Sequence, residues 1–271
     1  MVNPVNPTTP PRAITAWSGP TSTSAPEATD SHVREILSTG HHVVWSRPEA
    51  QRHGTDLVLV IHGYGANEVR AAQAYFGMLP ENATGLAVRG GFEIDAGAAS
   101  IMEGTDGAGS GPGAEPGAWG WFLLDYFLTN DFAEVVAAAH RVFDLLDADE
   151  VTRSGFRTVS VLGHSQGMAM ASTVYRLRPE AFACVVGLSG FVLSNPLLET
   201  LDSPPEGPGP RPFFWGRDVE DLVINPDAIA YTAGWLDANT RLTARTYEGM
   251  GHGMSAEEAR DVRIFLKHVL R

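Results

Sequence analysis

The sequence is poor in cysteine and lysine. Cys184 is the only cysteine among 271 residues, so an intrachain disulfide is excluded and nothing indicates an oxidising compartment. Lys267 is the only lysine, and 19 basic residues stand against 32 acidic ones, which gives a formal net charge of -13. Nucleic acids and anionic membranes bind clustered basic side chains, so this balance argues against both as partners. It favours a small substrate of little charge.

Long apolar runs are also absent. No stretch approaches the roughly 18 consecutive apolar residues that a membrane-spanning helix needs, so membrane insertion is not expected. The first residues lack both the basic leader and the apolar run of a secretory signal, and a cytoplasmic location is the resulting expectation. The oligomeric state is left open.

The chain divides into an arm and one large domain. Residues 1–38 are rich in proline, threonine and serine and lack a sustained period, which predicts an irregular N-terminal arm. Residues 39–271 are enough for a single domain with a substantial core. Within it, residues 90–120 form a glycine-rich insertion that we expect to be a surface loop.

Short apolar runs alternate with segments of helical period from Val43 onward. This alternation predicts an α/β fold with a mainly parallel central sheet and helices on both faces. Capping-box patterns at Asp131 with Glu134, and at Ser255 with Glu258, mark two helix starts. The predicted buried strands are 57–61, 158–162, 184–188 and 212–215, the more polar 241–247 lies nearer the edge, and helices cover about 67–79, 131–146, 168–178, 226–237 and 255–269.

One pentapeptide, Gly163-His-Ser-Gln-Gly167, lies directly between a predicted strand and a predicted helix. In a G-x-S-x-G elbow, which is typical of α/β-hydrolases, the serine occupies a strained turn and the flanking glycines remove Cβ atoms that would collide. The strand before it and the helix after it distinguish it from an ordinary Gly-Ser turn. Ser165 is therefore the candidate nucleophile.

A serine hydroxyl needs a base to take its proton. His252 lies after the last predicted strand and before the last helix, where the Ser-Asp-His chain order of α/β-hydrolases places the base. The alternative is an exposed loop histidine. The histidines at 41, 42, 53, 140 and 268 are predicted to be ordinary surface residues, and the adjacent 41–42 pair lacks the surrounding ligands that a metal site needs.

The base needs a carboxylate to hold its tautomer. The loop after strand 212–215 offers Asp218, Glu220 and Asp221. Asp221 is preferred because it leads into the next helix, and Asp218 stays open as the alternative. Asp227 is better suited to a helix N-terminus.

The oxyanion of an acyl-transfer intermediate needs two N–H donors. One is expected from the backbone of Gln166, directly after the nucleophile. The other is expected from the loop His62-Gly-Tyr-Gly65, whose glycines let a backbone amide turn inward, and Tyr64 is the chosen donor.

Together, His62-Gly-Tyr-Gly65, Trp121-Phe122, Gly163–Gly167, the Asp221 loop and Gly251-His252-Gly253 resemble the phospholipase/carboxylesterase family of α/β-hydrolases. The resemblance covers roughly residues 43–271. It implies an α/β-hydrolase fold and a small esterase without cofactor or metal, related to enzymes that cleave acyl thioesters or lysophospholipids. The sequence departs from the family in its longer arm and insertion, and in an acid loop two residues longer than a usual Gly-x-x-Asp turn.

Four apolar residues, Trp121, Phe122, Met168 and Phe191, lie in or beside loops at the carboxyl ends of the predicted strands, where ligands bind in this fold. We expect them to line an acyl or alcohol pocket, with core packing as the open alternative. The sequence thus predicts a serine carboxylic-ester hydrolase acting on a small-molecule ester through an acyl-enzyme. A thioesterase or lysophospholipase with the same residues, and a non-catalytic binding module, are the alternatives.

Overall fold

The structure is a computed structural model that describes residues 32–94, 117–124, 132–202 and 209–270. These residues form an eight-stranded sheet and a separate two-stranded one. The strands are β1 (Val33–Ile36), β2 (His42–Trp45), β3 (Asp56–Ile61), β4 (Ala83–Val88), β5 (Phe92–Ile94), β6 (Ala118–Gly120), β7 (Val159–His164), β8 (Val185–Leu188), β9 (Pro212–Asp218) and β10 (Arg241–Tyr247).

The large sheet is mainly parallel, as predicted. Its order is β1-β2-β4-β3-β7-β8-β9-β10, and every pair from β4 to β10 is parallel, whereas β1-β2 and β2-β4 are antiparallel. The strand at 241–247 is the outermost one, which confirms its predicted edge position. All six residues of β3 are buried, as expected for a strand covered on both faces.

Helices cover both faces of the sheet, because the side chains of each central strand alternate between two cores. Leu57, Leu59 and Ile61 of β3 belong to one apolar cluster, and Val58 and Val60 belong to the other. The first cluster includes residues of α2, α4 and α6, and the second includes residues of α1 and α7. The helices are α1 (Glu68–Tyr75), α2 (Ala133–Leu146), α3 (Asp149–Thr152), α4 (Gln166–Leu177), α5 (Pro196–Glu199), α6 (Pro226–Asn239) and α7 (Ala256–Val269).

The predicted boundary of the arm at residue 38 is wrong. Val33–Ile36 is not irregular but forms β1, which pairs with β2 along its whole length. The indole N–H of the fully buried Trp45 donates to Glu35 of β1 at 2.8 Å, so this strand is fastened to the core by a buried side chain. Residues 1–31 lie outside the described residues.

The insertion at 90–120 was predicted to be a surface loop, but both of its ends contain a short β-strand. Phe92–Ile94 and Ala118–Gly120 pair as an antiparallel ribbon, β5 with β6, and residues 95–116 lie outside the described residues. The ribbon continues into a bridge between Ala66 and Trp119, which connects it to the loop after β3. In the described part of the chain, no helix combines the length and hydropathy needed to cross a bilayer.

The two predicted helix starts differ in outcome. Ser255 accepts a hydrogen bond from the Glu258 N–H at 3.0 Å, as predicted for the start of α7. Asp131 lies outside the described residues, and α2 follows Phe132 without a side-chain cap. Glu134 instead accepts from the Leu123 N–H at 2.9 Å, because its carboxylate turns toward the segment after β6.

Candidate active site

Ser165 occupies the sharp turn between β7 and α4. Its φ of 54° and ψ of -121° lie outside the regions that L-residues ordinarily adopt, so the turn is strained. The neighbouring strand stabilises this turn, because the Ser165 N–H donates a hydrogen bond of 2.9 Å to the Leu188 carbonyl at the end of β8. The turn thus presents the hydroxyl at the carboxyl edge of the sheet, as the elbow motif predicts.

The two glycines of the motif are required by close approach. A Cβ on Gly163 would lie 2.1 Å from the Gly167 carbonyl oxygen, and a Cβ on Gly167 would lie 2.1 Å from the Ile61 carbonyl oxygen. Both contacts are with backbone, which cannot move aside without breaking β3 or α4. The spacing of glycines around Ser165 therefore has a direct steric cause.

The structure brings Ser165, His252 and Asp221 together. His252 Nε2 lies 2.8 Å from Ser165 Oγ, and His252 Nδ1 lies 2.9 Å from Asp221 Oδ2. With Nδ1 donating to the carboxylate, Nε2 is left as the acceptor for the serine hydroxyl. This is the arrangement in which a histidine can take the serine proton.

Asp221 is a buried carboxylate that stays ionised. Burial raises its pKa, but the hydrogen bond and charge of His252 and the N–H groups of Val223 and Ile224 outweigh burial, so the pKa of Asp221 lies below its usual value. Its side chain is only 1% exposed, which protects the contact with His252 from water. The carboxylate is therefore available as a negative partner for an imidazolium.

Asp218, the alternative acid, contacts backbone instead of the imidazole. Its Oδ2 accepts from the N–H groups of Met250 and Gly251 at 2.5 and 2.7 Å, and its Oδ1 accepts from Glu220 N–H at 2.7 Å. Burial raises the pKa of Asp218, and these three hydrogen bonds lower it to a net value below the usual one. Asp218 thus anchors the loop that carries His252.

Two more side chains hold the same loop. His164 Nε2 donates to the carbonyl of His252 at 2.9 Å, and Ser189 Oγ donates to the carbonyl of Gly253 at 3.0 Å. Burial lowers the pKa of His164 to about 4, so it is neutral and carries the N–H at Nε2 near neutral pH. Neither role was predicted from the sequence. Polar side chains buried beside a motif must find hydrogen-bond partners, and this requirement could have indicated both roles.

The two predicted oxyanion donors lie on either side of Ser165. Gln166 is the first residue of α4, where helix N–H groups point outward. Tyr64 lies in the loop after β3, and a Cβ on the neighbouring Gly63 would lie 3.3 Å from Ser165 Cβ, so the loop passes directly over the serine. Gly65 turns this loop with a φ of 84° and donates its N–H to the Trp119 carbonyl at 3.0 Å.

The Gln166 side chain has a second contact set that the sequence did not indicate. Its Oε1 accepts from Trp121 N–H at 3.0 Å and its Nε2 donates to the Phe122 carbonyl at 2.7 Å. The Trp121 indole donates to the His62 carbonyl at 2.9 Å. These bonds join the elbow, the segment after β6 and the loop that carries Tyr64 into one buried network.

His62 completes that network. Its Nδ1 donates to the Gly63 carbonyl at 2.7 Å, and its Nε2 accepts from Gly90 N–H at 2.9 Å. Burial lowers the pKa of His62 to about 4, which fits a neutral ring with one donor and one acceptor. His62 therefore supports the loop rather than acting as a base.

The four residues expected to line a substrate pocket lie in the apolar core, which was the open alternative. Trp121, Phe122, Met168 and Phe191 are between 0% and 7% exposed and belong to the core cluster on the α4 face of the sheet. Met168 packs against Gly187 and Gly190, where added Cβ atoms would lie 2.5 Å from it. These side chains fill the space behind the elbow, and none forms a wall of the cavity beside Ser165.

That cavity opens on the other side of the serine. It has a volume of about 470 Å³ and is bordered by Ser165, His252 and the Tyr64 loop, by one face of α1, and by Val223 from the acid loop. Among the described residues, no group of three or more His, Cys, Asp or Glu side chains is placed to hold a metal ion.

Comparison with known proteins gives a family and a fold. A family model described as Phospholipase/Carboxylesterase matches residues 111–270. Acyl-protein thioesterase 1 of Candida albicans is 32% identical over 111 residues, which are 40% of this chain and 48% of that protein. Carboxylesterase SOBER1 of Arabidopsis thaliana is 24% identical over 143 residues, which are 52% of this chain and 61% of that protein. The chain thus matches less than two thirds of the length of either relative.

Solved structures of the same kind superimpose over more of the chain. A carboxylesterase from Mesorhizobium loti aligns with a TM-score of 0.65 and 16% identity, covering 86% of this chain and 98% of that one. Arabidopsis thaliana SOBER1 aligns with a TM-score of 0.63 and 19% identity, covering 80% of this chain and 100% of that one. At these identities the likeness establishes the fold, which is that of an α/β-hydrolase.

Proposed function

Because the chain belongs to the phospholipase/carboxylesterase family of α/β-hydrolases, we propose that it hydrolyses carboxylic esters with Ser165 as nucleophile, His252 as base and Asp221 as the acid that orients it. One observation carries the proposal: two hydrogen bonds, of 2.8 and 2.9 Å, link the three side chains in that order at a strained elbow beside an open cavity. A serine hydroxyl placed this way has a base for its proton and room for a substrate carbonyl.

The first half of the reaction forms an acyl-enzyme. Ser165 Oγ attacks the ester carbonyl carbon while its proton passes to His252 Nε2, and the carbonyl oxygen becomes an oxyanion. Asp221 stabilises the imidazolium through Nδ1–H. The C–O bond to the alcohol then breaks, and the alcohol leaves with the proton from His252.

The second half releases the acid. Water takes the place of the alcohol, gives a proton to His252 Nε2 and attacks the acyl carbon, and the bond to Ser165 Oγ breaks as the proton returns to the serine. The backbone N–H groups of Tyr64 and Gln166 are the proposed oxyanion donors in both halves. Each such donor contributes about 3 kcal/mol to the transition state. Every proton transfer in this scheme belongs to His252.

The substrate is proposed to be a small-molecule ester, with a thioester as the second candidate. The thioester candidate has its own support, since one relative is named as an acyl-protein thioesterase. The same attack on a carbonyl carbon cleaves either bond, with a thiol as the leaving group in the second case. Comparing kcat/KM for an oxygen ester and a thioester of the same acid separates the two.

Replacement of Ser165 by alanine tests the proposal. Hydrolysis of p-nitrophenyl acetate is expected to fall on the order of 10⁶-fold, because the nucleophile is removed and only the oxyanion site remains. Ser172→Ala is the matched control: Ser172 lies buried on the same helix and donates to the Ala169 carbonyl, away from the cavity. Its activity is expected to stay within about twofold of the parent, as for substitutions outside the reacting centre.

A fluorophosphonate probe gives an independent readout. The protein is expected to take up one covalent label, and Ser165→Ala is expected to take up none, because only an activated serine reacts. A non-catalytic binding module would leave the probe unreacted, and that result would overturn the proposal.

A further inference from the structure

The cavity beside Ser165 is open to solvent along one helix, and its walls indicate what it holds. It is bordered by residues of α1, by Val223 of the acid loop, and by Ser165 and His252. A group joined to either side of the scissile carbonyl would enter this space directly. A substrate-holding role for this cavity rests on the proposed ester hydrolysis.

The α1 wall includes two small side chains, Ala71 and Ala74. Ala71, Ala74 and Tyr75 border the cavity, and their i, i+3, i+4 spacing puts them on one face of the helix. The two alanines on this face leave the space that larger residues would occupy. A volume of about 470 Å³ falls within the roughly 300–1,000 Å³ range of small-molecule sites.

The walls are also largely uncharged. Burial lowers the pKa of both His62 and His164 to about 4, so these two imidazoles of the border are uncharged near neutral pH. Arg70, whose side chain is solvent exposed, also borders the cavity. Val223, 48% exposed, adds apolar surface to the border. Apolar surface of this kind is stabilised when an apolar chain covers it.

We propose that the apolar chain of the ester substrate lies in this cavity against the Ala71–Ala74 face of α1, and that Ala74 limits the chain length the enzyme accepts. The chain belongs to the acyl group or to the alcohol, and both occupy the same apolar surface beside Ser165. This site is on the opposite side of the elbow from Trp121 and Phe122.

The test uses Ala74→Leu with two matched ester series. One series varies the acyl chain of p-nitrophenyl esters from acetate to octanoate, and the other varies the alcohol of acetate esters from methyl to octyl. Leucine fills the space next to the helix, so the ratio of kcat/KM for the longest to the shortest ester is expected to fall at least about tenfold in one series or both. The series that responds identifies the source of the chain.

Gln73→Leu is the control. Gln73 is an exposed neighbour on the same helix that does not border the cavity, and the same leucine there is expected to leave both ratios unchanged. Ala74→Asn is a second variant, which adds a polar group with less bulk than leucine and is expected to lower the same ratio. Ala74 is solvent exposed, so both variants are expected to fold, and their melting temperatures check this.

The outcomes separate this inference from the proposed function. If the parent hydrolyses acetate esters in a Ser165-dependent way but Ala74→Leu and Ala74→Asn keep the parent's ratios in both series, the cavity does not hold the chain. If the parent shows no Ser165-dependent hydrolysis of any ester in either series, the proposed function itself fails.

Discussion

Asp221 and Asp218 lie three residues apart, yet their carboxylates contact different groups. The sequence left the choice open because the acid loop looks two residues longer than a usual Gly-x-x-Asp turn, and the strand before it was predicted to end at residue 215. The structure extends β9 to Asp218, so this residue lies at the strand end and its carboxylate accepts the N–H groups of Met250 and Gly251. Asp221, one turn further on, reaches His252. Apolar patterning does not define well where a strand ends, so the sequence alone does not show which of the two carboxylates contacts the imidazole.

This division of contacts predicts the effect of Asp221→Asn. An asparagine oxygen can still accept the N–H groups of Val223 and Ile224, but the negative charge beside His252 is lost and the tautomer is no longer fixed. We expect kcat to fall about 10³- to 10⁴-fold, with little change in melting temperature. Steady-state kinetics and thermal unfolding measured on the same samples check both parts.

Asp227→Asn serves as the control for that experiment. Asp227 is exposed in the first turn of α6 and was the third candidate acid, and its loss is expected to leave kcat unchanged. If Asp221→Asn kept the activity of the parent, the proposed role of Asp221 would be wrong.

The capping box predicted at the start of helix α7 forms only in part, because one of its two side chains packs into the core. The Ser255 side chain caps the helix as predicted, but the Glu258 carboxyl turns toward the core instead of completing the capping box. Its Oε1 lies beside Gly216 of β9, and a Cβ added to Gly216 would be 2.1 Å from this oxygen. Glu258 is fully buried, and neither carboxyl oxygen has a hydrogen-bond partner among the described residues. The missing side chain of Gly216 thus leaves the space that the Glu258 carboxyl occupies.

Glu258 makes stability depend on pH. Burial, and then the charge of Asp261, raise its pKa from 4.5 to about 8, and the other ionisable groups near it are the hydroxyls of Tyr75 and Tyr247. Between these two pKa values the folded state holds a proton that the unfolded state has released. The free energy of unfolding therefore falls as pH rises from about 4.5 to about 8.

Glu258→Gln is expected to remove that contribution. The variant's stability relative to the parent should rise by roughly 1–3 kcal/mol between pH 5 and pH 8.5, since glutamine has no proton to lose. Urea unfolding across this range measures it, with the exposed neighbour Glu257→Gln as control. A pH-independent difference between Glu258→Gln and the parent would show that Glu258 is ionised in the folded protein.

Other elements show why some strands were predictable and others were not. β3, β7 and β8 are buried on both faces and carry continuous apolar runs, which indicate their positions. β4 is equally buried, but Thr84 and Gly85 interrupt its pattern, and the sequence analysis assigns no strand there. Gly85 is needed because a Cβ would lie 2.5 Å from the Phe76 ring. The contact with Phe76 therefore places a glycine in the strand and interrupts the apolar pattern from which β4 could have been predicted.

At the scale of the whole molecule, the candidate site is assembled from segments far apart in sequence. The elbow, the acid loop and the histidine loop follow β7, β9 and β10, which are parallel strands of one sheet, so their carboxyl ends meet at one edge of it. The cavity could not be predicted in the same way. It depends on how α1 packs beside the acid loop, which no local pattern specifies, so nothing in the sequence marks Ala71 and Ala74 as residues of its border.

The net charge of the molecule gives a further prediction about substrates. At -13 the protein repels anions over distances comparable with the Debye length, and added salt screens this repulsion. For a succinate p-nitrophenyl monoester, which keeps one free carboxylate, kcat/KM should rise by about threefold or more between roughly 20 and 300 mM NaCl. The butyrate ester of the same chain length is neutral and should change little, so the ratio of the two isolates the electrostatic part. A ratio that falls with salt would mean that the local charge of Arg70 at the cavity outweighs the field of the whole protein, and in that case Arg70→Gln should abolish the fall.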